Sequence, residues 1–229
     1  QEIEEDLPCR YVLKEQEQEV AGDAVLIAIG RAANTNGLFA DRCMPDLERG
    51  RIVVDKTGKT SVSHLYAIGD CCNGGPQLAH AASAQGLAVA AHLAGKPCEI
   101  NLELVPSCVY VSPEIASVGL TEAEAKEQGI AVKTGKFLMA ANGKSLLTAQ
   151  ERGFVKLIAD EQGVLLGAQL MCGRATDMIG ELTVAIANRL NVEQVASCIH
   201  AHPTFAEGIG EAADALLGYP IHTAPRAKR

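Results

Sequence analysis

Three runs rich in apolar residues, 131–139, 153–159 and 164–171, are separated by Asn142-Gly143 and by Asp160-Glu161-Gln162-Gly163. Turn signals of that kind between short β-prone runs mark strands that fold back on one another. The spacing predicts an antiparallel meander, and the rest of this region must pack against it. Ahead of the meander, Val105 to Val111 reads as a further strand. Thr121-Glu122-Ala123-Glu124 is a capping box that opens a short helix, which Gly129 stops. Behind it, Ala175, Met178, Ile179, Leu182, Ile186 and Leu190 recur at helical spacing, and Ile209, Ala212, Ala213, Leu216 and Leu217 line one side of a second helix. Residues 101–229 therefore read as an α+β unit with an antiparallel sheet.

The residues before about 100 follow an α/β pattern. Tyr11, Leu13 and Glu15 to Glu19 suggest polar hairpin strands. Ala24-Val25-Leu26-Ile27-Ala28-Ile29 is a continuous apolar run, as expected of a strand buried on both faces of a parallel sheet. Further strands are predicted at 51–55 and at 65–68. The second breaks at Gly69-Asp70, passes Gly74-Gly75-Pro76 and leads into a helix starting near Leu78, an order found at nucleotide-type α/β sites. Lys96-Pro97 ends that helix and marks a boundary. The chain opens on Gln1, with Glu2-Ile3-Glu4-Glu5 already in a strand pattern, so it reads as a cut piece of a longer one.

Composition narrows the class. A net charge of −8 argues against a nucleic-acid surface. The longest small-apolar stretch, Leu78 to Leu93, contains His80, Ser83, Gln85 and His92 and reads as an alanine-rich helix outside any membrane. The eight cysteines form no CxxC pair and no zinc-spaced cluster, so no metal site is expected. They read as buried or partly buried free thiols in a reducing cytoplasm.

Two places have residues suited to chemistry. Asp70, beside a glycine turn at the end of a strand, is placed either to bind the sugar hydroxyls of a dinucleotide or simply to cap the turn. The helix start at Leu78-Ala79-His80 points backbone N–H groups at whatever lies there. The second place is His200-Ala201-His202-Pro203-Thr204-Phe205-Ala206-Glu207. Thr204-x-x-Glu207 is itself a capping box with Thr204 as N-cap, which would leave both histidines incidental. Alternatively, Glu207 turns back onto His202, fixes its tautomer and makes it a proton acceptor. Gly208-Ile209-Gly210-Glu211-Ala212-Ala213 fits a dinucleotide fingerprint only superficially, because no strand precedes it.

HAHPTFAE at 200–207 resembles the C-terminal motif of the flavin-dependent pyridine nucleotide–disulfide oxidoreductases, in the form found in their dihydrolipoamide-oxidising branch. AIGRAANT at 28–35, LYAIGD at 65–70, PQLAHAASAQG at 76–86 and PSCVYVSPEIASVGLTE at 106–122 match in the same order, so the likeness spans almost the whole chain. The resemblance implies the end of an NAD-binding domain at 1–40, the closing part of an FAD-binding domain at 41–100 and a dimerisation domain at 101–229. It implies FAD contacts at Asp70, Gln77, Leu78, Ala79 and His80, an NAD contact at Gly30, His202 as the base and Glu207 as its partner. The implied reaction is oxidation of dihydrolipoamide, carried on a lipoylated acyltransferase or glycine-cleavage carrier protein, with NAD as electron acceptor. The implied base acts across a homodimer. The Asp70–Gln77 turn is one residue longer than the family norm, Gln77 stands where methionine is common, and Ala33 replaces a usual proline. No two cysteines are separated by four residues, as the redox disulfide requires, so the chain alone is expected to be inactive. A glutathione-reductase-like enzyme and a non-catalytic dimerisation module are the alternatives.

Overall fold

The computed structural model describes residues 7–13, 16–22, 24 and 26–223. The expected pattern at Glu2–Glu5 lies outside them. Strands β1 (Leu7–Leu13) and β2 (Gln16–Gly22) pair as an antiparallel hairpin, in register from Leu7↔Gly22 to Leu13↔Gln16.

The apolar run that follows does not form the expected buried strand. Leu26, Ile27 and Ile29 are 89%, 77% and 94% exposed, on backbone without regular structure. A parallel strand needs neighbours on both edges and cover on both faces, and no described strand pairs with this run. The expected strands at 51–55 and 65–68 are also cut back. The first is β4 (Arg51–Ile52), paired with β3 (Leu47–Glu48), and the second is a single bridge between Lys59 and Tyr66. The helix after the glycine turn is as expected, α1 (Ala79–Leu93), although Ala81 is its one buried residue.

Residues 105–217 build the main core. Strands β5 (Ser107–Val109), β6 (Glu114–Gly119), β7 (Val132–Leu138), β8 (Phe154–Asp160) and β9 (Leu165–Cys172) form one antiparallel sheet in the order β5-β6-β9-β8-β7. The predicted meander is its β7-β8-β9 half. Period-2 alternation sends Ala116, Leu170, Val155 and Phe137, aligned across four strands, to the inner face, where all are buried. Helices α4 (Ala175–Ala187) and α6 (Glu207–Leu217) cover that face, joined by α5 (Val192–Ala196). On α4 the buried residues Ala175, Met178, Ile179 and Leu182 fall on the predicted stripe.

Two connections show how side chains set element ends. In α2 (Glu122–Glu127) the Thr121 hydroxyl accepts from Glu124 N–H while the Glu124 carboxylate accepts from Thr121 N–H, the predicted capping box. Asn142-Gly143 is not a strand-to-strand turn. Asn142 is the N-cap of a short helix, α3 (Gly143–Leu147), and its side chain accepts from Ser145 N–H at 2.9 Å. Asparagine and glycine suit caps as well as tight turns, so the dipeptide marks a reversal without saying which kind.

Candidate functional site

His202 lies on the irregular segment that joins α5 to α6, and the carboxylate of Glu207 comes from the first residue of α6. His202 Nδ1–H donates to Glu207 Oε1 at 2.8 Å, while Glu207 Oε2 accepts from Thr204 N–H at 2.8 Å. The side chains differ in exposure, 75% for His202 against 26% for Glu207. With Nδ1 committed to the carboxylate, Nε2 has the free lone pair and faces solvent, which is the arrangement of a proton acceptor. Burial pushes the Glu207 carboxyl up, but the Thr204 and His202 hydrogen bonds and the charges of His202 and His200 outweigh it, so it sits below the usual carboxylate range.

The structure brings together His202 and Glu207 but corrects the part assigned to Thr204. The N-cap position of α6 is held by Ala206, with no side-chain cap. The Thr204 hydroxyl donates instead to the Ala201 carbonyl at 2.7 Å. His200, left open by the sequence, is tied down. Its Nε2–H donates to Glu181 Oε1 on α4 at 3.0 Å, and that hydrogen bond, working against burial, raises its pKa. Asn142 donates from Nδ2 to the Thr204 carbonyl at 3.0 Å. Glu181 and Asn142 were missed as neighbours of the motif, since pairing over long sequence separations leaves no periodic trace.

Asp70, Gln77, Leu78, Ala79 and His80 form a second group. Asp70 is exposed on a 3-10 turn, Gly69–Cys71, whose Gly69 N–H donates to Gln85 Oε1 of α1 at 2.7 Å. Gln77, Ala79 and His80 are exposed and Leu78 is half-buried, and no side chain caps the start of α1. The first N–H groups of α1 have no side-chain acceptor, and the Asp70 carboxylate is exposed on the neighbouring turn, where it can accept from hydroxyl groups. His80 Nε2–H donates to the Pro106 carbonyl at 2.7 Å and so ties α1 to the entry of β5. Gly30 is exposed at φ 137°, a conformation that favours glycine. Arg51 links this end of the chain to the turn, donating to the Arg31 and Asp70 carbonyls at 3.4 and 3.2 Å. A cavity of about 300 Å³ beside α1 is lined by Ile68, Cys72, Gln85, Val89 and His92 among others, but by none of the predicted site residues. Among the described residues no three His, Cys, Asp or Glu side chains are grouped to hold a metal, and no helix is long and apolar enough to cross a membrane.

Two family models match the chain. The pyridine nucleotide-disulphide oxidoreductase model covers residues 2–86, and that family's dimerisation-domain model covers residues 105–213. The chain belongs to the pyridine nucleotide-disulphide oxidoreductase family. Within the family it is 44% identical over 214 residues to dihydrolipoyl dehydrogenase of Bacillus subtilis, a match covering 93% of this chain and 45% of that protein. Its identity to the Haloferax volcanii dihydrolipoyl dehydrogenase is 42% over 219 residues, 92% of this chain and 45% of that one. The chain thus spans about half the length of the curated relatives it matches. Among solved structures, LpdA from Mycobacterium tuberculosis superposes with a TM-score of 0.78 at 31% identity, over 86% of this chain and 43% of that one. The HOCl-induced flavoprotein disulfide reductase RclA from Escherichia coli gives 0.80 at 26% identity, over 90% and 47%. The mixed α/β fold with its antiparallel sheet agrees with these oxidoreductases.

Proposed function

We propose that this chain supplies the C-terminal share of a dihydrolipoyl dehydrogenase, with His202 as the base and Glu207 as its orienting partner. The observation that carries the reading is the His202–Glu207 hydrogen bond, which leaves Nε2 exposed on a chain of this family. His202 Nε2 takes the proton of a substrate S–H bond, giving imidazolium and a thiolate, and the thiolate is the nucleophile that attacks a disulfide. No two of the chain's cysteines are separated by four residues, so in this reading the disulfide comes from outside the sequence given.

Asp70 and the start of α1 at Gln77, Leu78, Ala79 and His80 would hold FAD, and Gly30 would approach NAD. Bound FAD supplies the two-electron relay between dithiol and nicotinamide. The proposed organisation is 1–40 from an NAD-binding domain, 41–100 from an FAD-binding domain and 101–229 as the surface through which a homodimer forms. His202 then serves the opposite subunit. The dithiol is carried on a lipoylated acyltransferase or glycine-cleavage carrier protein in the cytoplasm, with no nucleic acid or membrane involved.

The test is a chimera in which this chain replaces the matching segment of the Bacillus subtilis enzyme. His202→Gln in it is expected to lower dihydrolipoamide-driven NAD reduction by roughly 10²–10⁴-fold, while NADH still reduces an artificial acceptor. An unchanged dihydrolipoamide rate would sink the base assignment.

A further inference from the structure

An exposed imidazole keeps one orientation only if the backbone under it is fixed. The segment from His200 to Ala206 has no regular structure, and the Glu207 carboxylate grips the ring from one side only. Two contacts from distant parts of the chain fix the backbone itself. Upstream, the His200 ring is 11% exposed and wedged between two helices. Glu181 of α4 accepts its Nε2–H, and a Cβ built on Gly210 of α6 would stand 3.2 Å from its Nδ1. Downstream, Asn142 is 3% exposed and uses both ends of its amide. Oδ1 caps α3, and Nδ2 holds the Thr204 carbonyl. The N–H of the same residue is held by Glu207 Oε2, so Thr204 is pinned through both its backbone polar groups.

Neither contact is needed to make the neighbouring elements. A cap requires only an acceptor, and serine or aspartate supplies one as well as asparagine does. The donor end of Asn142 is thus surplus to α3 and is aimed into the loop carrying His202. A Cβ on Gly143, the residue after this cap, would lie 3.8 Å from His202 Cε1, so the ring rests against the start of α3. Likewise, a half-buried imidazole–carboxylate pair is an expensive way to join a loop to a helix when apolar packing is available.

We propose that Asn142 and His200 are positioning residues, holding the two ends of the 200–207 loop so that Glu207 keeps His202 in the tautomer with Nε2 free. The purpose of this clamp rests on the reading of His202 as a base, but the clamp is testable without any turnover.

The experiment is ¹⁵N NMR of the histidine rings in this chain at about pH 9, where an ordinary imidazole with a pKa near 6.5 is neutral. Asn142→Ser keeps an acceptor for the α3 cap and is too short to reach the Thr204 carbonyl. The Ser145 amide shift is expected to stay put, while the Thr204 amide moves and the Nδ1–Nε2 shift separation of His202 falls by roughly half as the tautomers mix. His200→Ala is expected to do the same, Glu181→Ala to reproduce it, and His200→Gln, whose amide still reaches Glu181, to restore most of the separation. The double variant His200→Ala/Glu181→Ala is expected to be no worse than either single one. An unchanged His202 separation in folded Asn142→Ser and His200→Ala overturns the proposal. If the tautomer shifts as expected while His202→Gln leaves the chimera's turnover intact, the clamp stands and the base reading falls.

Discussion

Gly135, at the middle of β7, packs closely against α6, and adding one methyl group there tests how tightly the helix carrying Glu207 is seated. A Cβ on Gly135 would stand 2.1 Å from the Ala212 carbonyl oxygen and 2.6 Å from both the backbone nitrogen and the Cβ of Leu216. Two of these three atoms are helix backbone, so no rotamer change relieves them. Ordinary contact needs about 3.5 Å, which requires α6 to retreat by roughly 1 Å or more. That retreat loosens Ile209, Ala212 and Ala213, all fully buried. Overpacking of this kind costs about 3 kcal/mol, at the high end of its usual range because backbone must move. Glycine-to-alanine in a strand returns about 0.5–1 kcal/mol of chain entropy. Gly135→Ala is therefore expected to destabilise by about 2 kcal/mol or more. Urea unfolding followed by far-UV circular dichroism reads it as a fall of about 1 M in midpoint for a slope of roughly 2 kcal/mol/M. The displaced Glu207 is also expected to shift the Thr204 amide resonance. Gly180→Ala, on the exposed side of α4 with nothing within 4 Å of the new Cβ, is the control. It is expected to stabilise by about 0.5–1 kcal/mol from helix propensity. If Gly135→Ala unfolds at or above the wild-type midpoint, the close approach of α6 to β7 is wrong.

Three further outcomes can be checked. Glu114 Oε2 accepts from both N–H and Oγ1–H of Thr176 in the first turn of α4, whose N-cap residue Arg174 gives no side-chain cap, so Glu114→Ala is expected to cost about 1–2 kcal/mol, read as a lower melting temperature. Glu207 is held below the usual carboxylate range, so its contribution to stability is complete above about pH 4.3 and is lost as pH falls through its lowered value. His200 is held above the usual imidazole value, so its contribution is complete below about pH 6.5 and is lost as pH rises through the raised value. In a pH–stability profile, Glu207→Gln should flatten the acid limb and His200→Gln the alkaline one, and unchanged limbs refute both assignments. Burial, with the neighbouring Cys71, pushes the Cys72 thiol up to about 12, and burial with Glu114 does the same to Cys172. Both should therefore alkylate far more slowly with iodoacetamide near neutral pH than exposed Cys43, Cys98 and Cys198, as measured by mass spectrometry.

The dimerisation-domain region was legible because its pattern is local and its helices cover the inner face of the sheet. The β7, β8 and β9 strands are short apolar runs, the α2 capping box closes within four residues, and the α4 stripe needs only a period of 3.6. The run at 24–29 is just as strongly patterned, yet Leu26, Ile27 and Ile29 lie open. An apolar run states what a segment needs, namely strands on both edges, and the same letters are written whether or not a partner is at hand. Asn142 failed for a different reason. Its dipeptide carries turn chemistry that serves a hairpin or a helix cap alike, and the carbonyl that takes its spare donor, at Thr204, lies 62 residues away.

The motif at 200–207 shows how a local pattern yields to a tertiary demand. Thr204-x-x-Glu207 satisfies the capping-box spelling, and half the box is built, since the Glu207 carboxylate accepts from Thr204 N–H. The other half is missing because the helix begins at Glu207, with Ala206 at its N-cap. Phe205 is buried, its ring edge 3.0 Å from where a Cβ on Gly173 would stand. Seating that ring under β9 occupies the residue that would have been the first of a helix capped by Thr204. The threonine hydroxyl turns back to Ala201 and tightens the loop around His202 instead. Glu207, now at the helix start, has one oxygen for Thr204 and one left over, and the second is what reaches His202 Nδ1. Capping and base orientation are not rival uses of the same glutamate: the carboxylate has two oxygens, and the off-register helix start assigns one to each.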